Sequence, residues 1–153
     1  MTKQETYEEL LPQVVAMIEG ESNAVSVMAN VTAALHDAFG WWWTGFYTVN
    51  GDRLELGPFQ GPVACYRIKR GRGVCGTAWE SDETVIVPDV DQFPGHIACS
   101  SLSRSEIVVP VHDSTGEVVA VLDIDSKELS TFDETDKTYL EILVKEISKS
   151  LNW

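Results

Sequence analysis

A chain of 153 residues with 11 Lys plus Arg against 24 Asp plus Glu carries a formal charge of −13. That charge repels phosphate backbones, which excludes nucleic acid and anionic membranes as natural partners. With 44% hydrophobic and 23% charged residues the chain is not a disordered one. A length near 150 residues suits one domain, here residues 1–153, that buries roughly two-thirds of its unfolded surface.

Residues 1–6, Met-Thr-Lys-Gln-Glu-Thr, lack the basic and then apolar segments of a secretion signal, and no apolar run reaches the ~18 residues of a membrane span. A soluble, cytoplasmic protein is expected. Residues 5–19 and 23–39 read as helices, the second with Val25, Met28, Val31, Leu35 and Phe39 at helical spacing, Ser22 or Asn23 as cap and Gly40 as stop. The aromatic and β-branched run Trp41 to Val49 then predicts a strand, and Asn50-Gly51 a tight hairpin into a second strand over residues 53–59.

Residues 60–68 read as short and extended. The turn Gly71-Arg72-Gly73 leads into small residues, Val74 to Glu80, that suit a short helix. Thr84 to Val87 predicts a brief strand closed by Pro88. Residues 89–103 have no periodicity and read as a long loop, of the kind that inside a compact domain usually carries function. Two more strands follow, residues 105–111 and 117–125, and then a helix with Tyr139, Leu140, Leu143, Val144 and Ile147 as its apolar stripe. This order predicts an α+β domain: an antiparallel sheet with helices on one face and long crossing loops on the other.

Cys65, Cys75 and Cys99 lie 10 and 24 residues apart, without the spacing usual for zinc. An odd count in a reducing compartment argues against a structural disulfide framework. They are core spectators, metal ligands or redox groups. Free cysteines are commonly small core hydrophobes, but Cys99 sits in the irregular loop after Phe93-Pro94-Gly95-His96, where packing is a less natural role. Cys75 and Cys99 both have sequence settings that favour a thiolate, near cations or a helix N-terminus.

Asp123 and Asp125 alternate with Leu122 and Ile124, so both carboxylates project to one face of a strand. Glu106 opens the neighbouring strand on the face opposite Ile107 and Val109, and Val108, Val119 and Val121 are expected beside the acids. A solvated face would explain acids alone; acids on a half-apolar face indicate a covered pocket in which repulsion and desolvation raise at least one pKa. Of the tryptophans, alternation sends Trp42 to the face opposite Trp41 and Trp43. The cluster Arg67, Lys69, Arg70 and Arg72 reads as a solvated turn that would lower the pKa of Cys65 if it closed on it.

Five segments, residues 64–68, 71–78, 93–99, 105–110 and 121–125, together resemble the free methionine-(R)-sulfoxide reductases, which are stand-alone GAF-domain enzymes. The resemblance covers roughly residues 40 to 150 and includes all three cysteines. It implies a six-stranded antiparallel sheet, with the terminal helices packed on one face and the active site under loops on the other. It also implies thiol-dependent reduction of free methionine (R)-sulfoxide without a cofactor or metal, recycled by thioredoxin. On this likeness Cys99 is the attacking thiolate, Cys65 the resolving cysteine that forms a disulfide with it, and Cys75 a secondary thiol. Where members of the family commonly place an acid directly after the attacking cysteine, Ser100 and Ser101 follow here.

Attack on a sulfoxide sulfur requires a proton for the oxygen, for which Glu106 and Asp125 are candidates. Asp123 suits the substrate ammonium and backbone N–H groups around Ile97 and Ala98 its carboxylate, and the resemblance points to Trp43, with Tyr47 nearby, as the apolar wall for its S-methyl group. A homodimer through the terminal helices accords with the same likeness. The rival readings are a GAF module that binds a small molecule without turnover and a thiol redox sensor.

Overall fold

The computed structural model describes residues 1–96 and 102–153. Helix α1 (Lys3–Ile18) starts at a capping box in which the Thr2 hydroxyl accepts from the Glu5 N–H and the Glu5 carboxylate accepts from the Thr2 N–H. Helix α2 (Ala24–Phe39) is capped by the Asn23 side chain, which accepts from the Ser26 N–H at 3.1 Å, and ends at Gly40 with φ 65°.

Strands β1 (Trp43–Asn50) and β2 (Arg53–Gln60) form the expected hairpin, with Asn50 paired to Arg53 so that Gly51 and Asp52 make the turn. Strand β3 (Arg67–Lys69) precedes helix α3 (Gly73–Ser81) and strand β4 (Val85–Val87). A single 3-10 turn, Val90–Gln92, interrupts the long loop before β5 (Ser105–His112) and β6 (Val118–Ser126). Helix α4 (Glu134–Leu151) closes the chain behind an Asp133–Asp136 capping box.

The sheet has six antiparallel strands in the order β3-β2-β1-β6-β5-β4, so the two hairpins β1–β2 and β5–β6 meet along β1 and β6. Helices α1, α2 and α4 cover one face over a core that includes Leu35, Phe46, Ile107, Leu122, Ile124, Leu140 and Ile147. The fold is thus the expected α+β arrangement, with one addition: α3 packs on the opposite face, over Val108 and Val121, and shares that face with the loops.

At the helical end a buried Asp136 accepts from the Tyr7 hydroxyl at 2.6 Å and from the Lys3 ammonium at 2.6 Å, which fastens α1 to α4. Two expectations about facing fail. Trp41 packs on the helix side, but Trp42 and Trp43 both pack on the α3 side, because β1 begins only at Trp43 and alternation does not govern Trp42. Val119 likewise packs on the helix side and Val118 on the α3 side. A bulge between Val111 and His112 pairs His112 with Val118 and shifts the alternation by one residue.

Candidate functional site

The acids meet because of strand register. Glu106 lies directly opposite Asp125 across β5 and β6, Asp125 opposite Trp43 across β6 and β1, and Asp123 opposite Gly45. Side chains two apart on a strand share a face, so Trp43, Tyr47, Asp123, Asp125 and Glu106 all point away from the helices. They line a cavity of about 60 Å³, together with Cys75 from α3 and His96 and Ser103 from either end of the loop before β5.

Gly45 makes room for this arrangement. A Cβ built there would stand 2.4 Å from the Cβ of Phe59 and 2.6 Å from the Trp43 ring, so only glycine lets the indole lie back along β1. Trp43 stacks on Phe59 with ring centres 5.2 Å apart and donates its indole N–H to the Pro62 carbonyl at 3.0 Å. Tyr47 donates its hydroxyl to the Cys65 carbonyl at 2.9 Å. Both cavity aromatics therefore hold the segment that carries Cys65, which is half-buried beside them and disulfide-bonded.

Cys75 is the free cysteine among the described residues, and it is buried. Its sulfur and carboxylate oxygens of Glu106 and Asp123 all lie within 4.8 Å of one another. Burial, and then the negative charge of Asp123, Glu106 and Asp125, push its thiol well above the ordinary range. The position in the first turn of α3 does not make it a thiolate, contrary to the expectation from helix-terminal placement.

Burial also raises all three carboxyl groups, Glu106 and Asp125 strongly. Asp123 is raised as well, but hydrogen bonds from Glu106, Asp125 and Cys75 oppose that shift. Coupled acids in one pocket share protons in this way: each ionisation makes the next harder. The Ser103 hydroxyl donates to Asp125 at 3.2 Å, and the His96 Nε2 stands 4.0 Å from Glu106 Oε1. Asp123 Oδ1 is buried and has no hydrogen-bond partner among the described residues. A polar atom left so is costly unless something binds it.

Of the residues singled out in the sequence, Glu106, Asp123, Asp125, Trp43, Tyr47 and Cys75 are brought together, and Cys65 adjoins them. Cys99, Ile97 and Ala98 lie outside the described residues. Trp42 lines the cavity beside Trp43, as one of the tryptophans was expected to, and Val63, Ile68, Arg72 and Ser103 line it without having been assigned a role there. Nothing in their local sequence marks them; sheet order alone delivers them. In the basic cluster, Arg67, Lys69, Arg70 and Arg72 are exposed, as a solvated turn requires, with Arg70 over the Trp79 ring at 5.1 Å and Arg72 at the cavity rim.

Residues 21–152 match the family model described as GAF domain. The chain is 55% identical to GAF domain-containing protein A of Dictyostelium discoideum, over 94% of this chain and 91% of that one. It is 42% identical to the free methionine-R-sulfoxide reductase of Saccharomyces cerevisiae, over 98% and 88%. Among solved structures, the free methionine-R-sulfoxide reductase of Neisseria meningitidis in complex with its substrate superposes with a TM-score of 0.96 at 52% identity, over 99% of this chain and 91% of that one. The sheet order, the acid-lined cavity and these near full-length relatives agree: the chain belongs to the GAF-domain family and, within it, to the free methionine-R-sulfoxide reductases.

Proposed function

We propose that this chain reduces free L-methionine (R)-S-oxide to L-methionine with Cys99 as the attacking thiolate. The observation that carries the reading is the pocket itself: three carboxyl groups, with Asp123 Oδ1 unpartnered among the described residues, facing Trp43 and Tyr47 beside Cys65. The Cys99 thiolate attacks the sulfoxide sulfur, a carboxylic acid protonates the oxygen, and the oxygen passes to the thiol as methionine departs. Cys99 is left as a sulfenic acid. Condensation with the Cys65 thiol then forms the disulfide and releases water, and the disulfide bond of Cys65 accords with that role.

Glu106 and Asp125, the more strongly raised acids, are the proton donors. Asp123, whose hydrogen bonds oppose its upward shift, receives the substrate ammonium. Backbone N–H groups around Ile97 and Ala98 receive the carboxylate. Trp43 and Tyr47 form the wall for the S-methyl group. Clamping both charged ends selects the free amino acid, since a methionine sulfoxide inside a peptide has no ammonium to offer Asp123 Oδ1. Cys75 acts as an auxiliary thiol, its raised pKa keeping it protonated and out of the first attack.

Regeneration is assigned to thioredoxin, a dithiol that returns two electrons to the disulfide. Residues 1–153 form one unit, since Lys3 and Tyr7, outside the matched segment, bind Asp136 within it. A homodimer through the terminal helices accords with exposed Val15, Met17, Val25 and Ile142. Among the described residues no helix is long and apolar enough to cross a membrane. The test is NADPH oxidation with thioredoxin and thioredoxin reductase, offered the (R) and (S) epimers separately. The (R) epimer alone should be consumed, and full turnover by Cys99→Ser would overturn the reading.

A further inference from the structure

We propose that Cys75, Glu106 and Asp123 form a binding site for a thiophilic divalent cation, with zinc as its reference ion, whose occupation excludes substrate from the pocket. The three donors come from α3, β5 and β6, and one ligand atom from each lies within 4.8 Å of the other two. Zinc bonds of about 2.0–2.3 Å require ligand atoms roughly 3.5 Å apart in a tetrahedron. The ligand atoms, within 4.8 Å of one another, would therefore have to draw closer around the ion.

The donor set combines one sulfur with two carboxylates, which suits zinc better than magnesium or calcium, ions that prefer oxygen alone. Three protein ligands leave a fourth position open to water from the cavity. A separate observation points to a bound cation: Asp123 Oδ1 is buried, lines the cavity and has no partner among the described residues. His96 Nε2, 4.0 Å from Glu106 Oε1, stands outside the triad.

Binding displaces the Cys75 proton and any proton held by Glu106 or Asp123, so a thiolate and two carboxylates meet the divalent charge. No electron is transferred. Metal binding to these donors does not depend on turnover, whereas exclusion of substrate rests on Asp123 receiving the ammonium group as proposed above.

The test is a titration of the Cys65→Ser/Cys99→Ser double variant with cobalt(II), a spectroscopic substitute for zinc. Cys75 is then the sole thiol. A thiolate-to-cobalt charge-transfer band should saturate at one ion per chain and vanish on adding zinc. Asp123→Asn and Glu106→Gln in that background should each weaken binding at least tenfold, and Cys75→Ser should abolish the band with circular dichroism unchanged. The oxidised wild-type chain provides a second measurement should the double variant not fold. Absence of the band in the folded protein, or an affinity indifferent to Asp123→Asn, would overturn the site. A band that methionine does not diminish would overturn the exclusion of substrate while leaving the metal site standing.

Discussion

Tyr47, on β1, donates its hydroxyl hydrogen to the main-chain carbonyl oxygen of Cys65 at 2.9 Å, with its own ring buried against the acid cavity. One residue thus forms part of the pocket wall and fixes the segment that bears the disulfide-bonded Cys65. The hydroxyl is held in its neutral form, since burial and then the charge of Asp123 push its pKa far up. It serves as a donor to the backbone rather than as an acid in the reaction.

Tyr47→Phe keeps the ring and deletes that bond. A neutral hydrogen bond contributes about 1 kcal/mol, or roughly fivefold in an equilibrium. Disulfide formation should slow by about that factor while the first methionine is released at nearly the wild-type rate. Rapid-quench measurement of methionine, set beside thiol loss over time, separates the two; equal slowing of both would refute the positioning role.

Register explains why part of this site is legible in the sequence. The alternation of Leu122 and Ile124 with Asp123 and Asp125 places the acids on one face, and the structure keeps them there. The Asn50-Gly51 signal fixes the β1–β2 hairpin in the same way. Trp42 and Val119 defeat the same argument, because alternation holds only inside a regular strand: Trp42 precedes β1, and a bulge interrupts the β5–β6 ladder near Val119. Arg72 and Ser103 carry no local sign at all. They reach the cavity because the order β3-β2-β1-β6-β5-β4 brings distant hairpins side by side.

The acid cluster predicts a pH dependence with a definite sign. Glu106 and Asp125 have folded-state pKa values above their ordinary ones, so the folded chain binds more protons than the unfolded chain between those limits. Stability should fall as pH rises through that window. The single-turnover rate should fall on the same side, as the proton donor ionises. Asp125→Asn removes a group that must be kept protonated in the folded chain, so it should raise stability at pH 7 and lower the rate at least tenfold. Urea denaturation across pH 5–8 reads the first effect; a stability that instead rises with pH contradicts it.

Gly45→Ala should disturb the Trp43 indole, because its Cβ would meet the Phe59 Cβ at 2.4 Å. A cost of about 1–3 kcal/mol is expected for overpacking at so tight a contact. Tryptophan emission should change, and KM should rise more than kcat falls. Unchanged emission with wild-type KM would show that the indole does not depend on this glycine.

Tyr7→Phe provides a control far from the cavity. The Tyr7 hydroxyl bonds the buried Asp136 carboxylate at 2.6 Å, and a hydrogen bond to a charged group contributes about 1.5–3 kcal/mol. The variant should lose stability by that amount in urea while its kcat/KM at 25 °C stays within twofold of wild type. A large loss of activity in the still-folded variant would mean that the α1–α4 contact acts on the pocket.

Reduction of the free sulfoxide by Cys99 is tested most directly by one turnover without an external reductant. Fully reduced chain is mixed with excess free methionine (R)-sulfoxide, and methionine and remaining thiols are counted together. The expected result is one methionine per chain, the loss of two thiols identified by peptide mapping as Cys65 and Cys99, and Cys75 still free. No methionine from the (R) epimer, or an equal yield from Cys99→Ser, would contradict it.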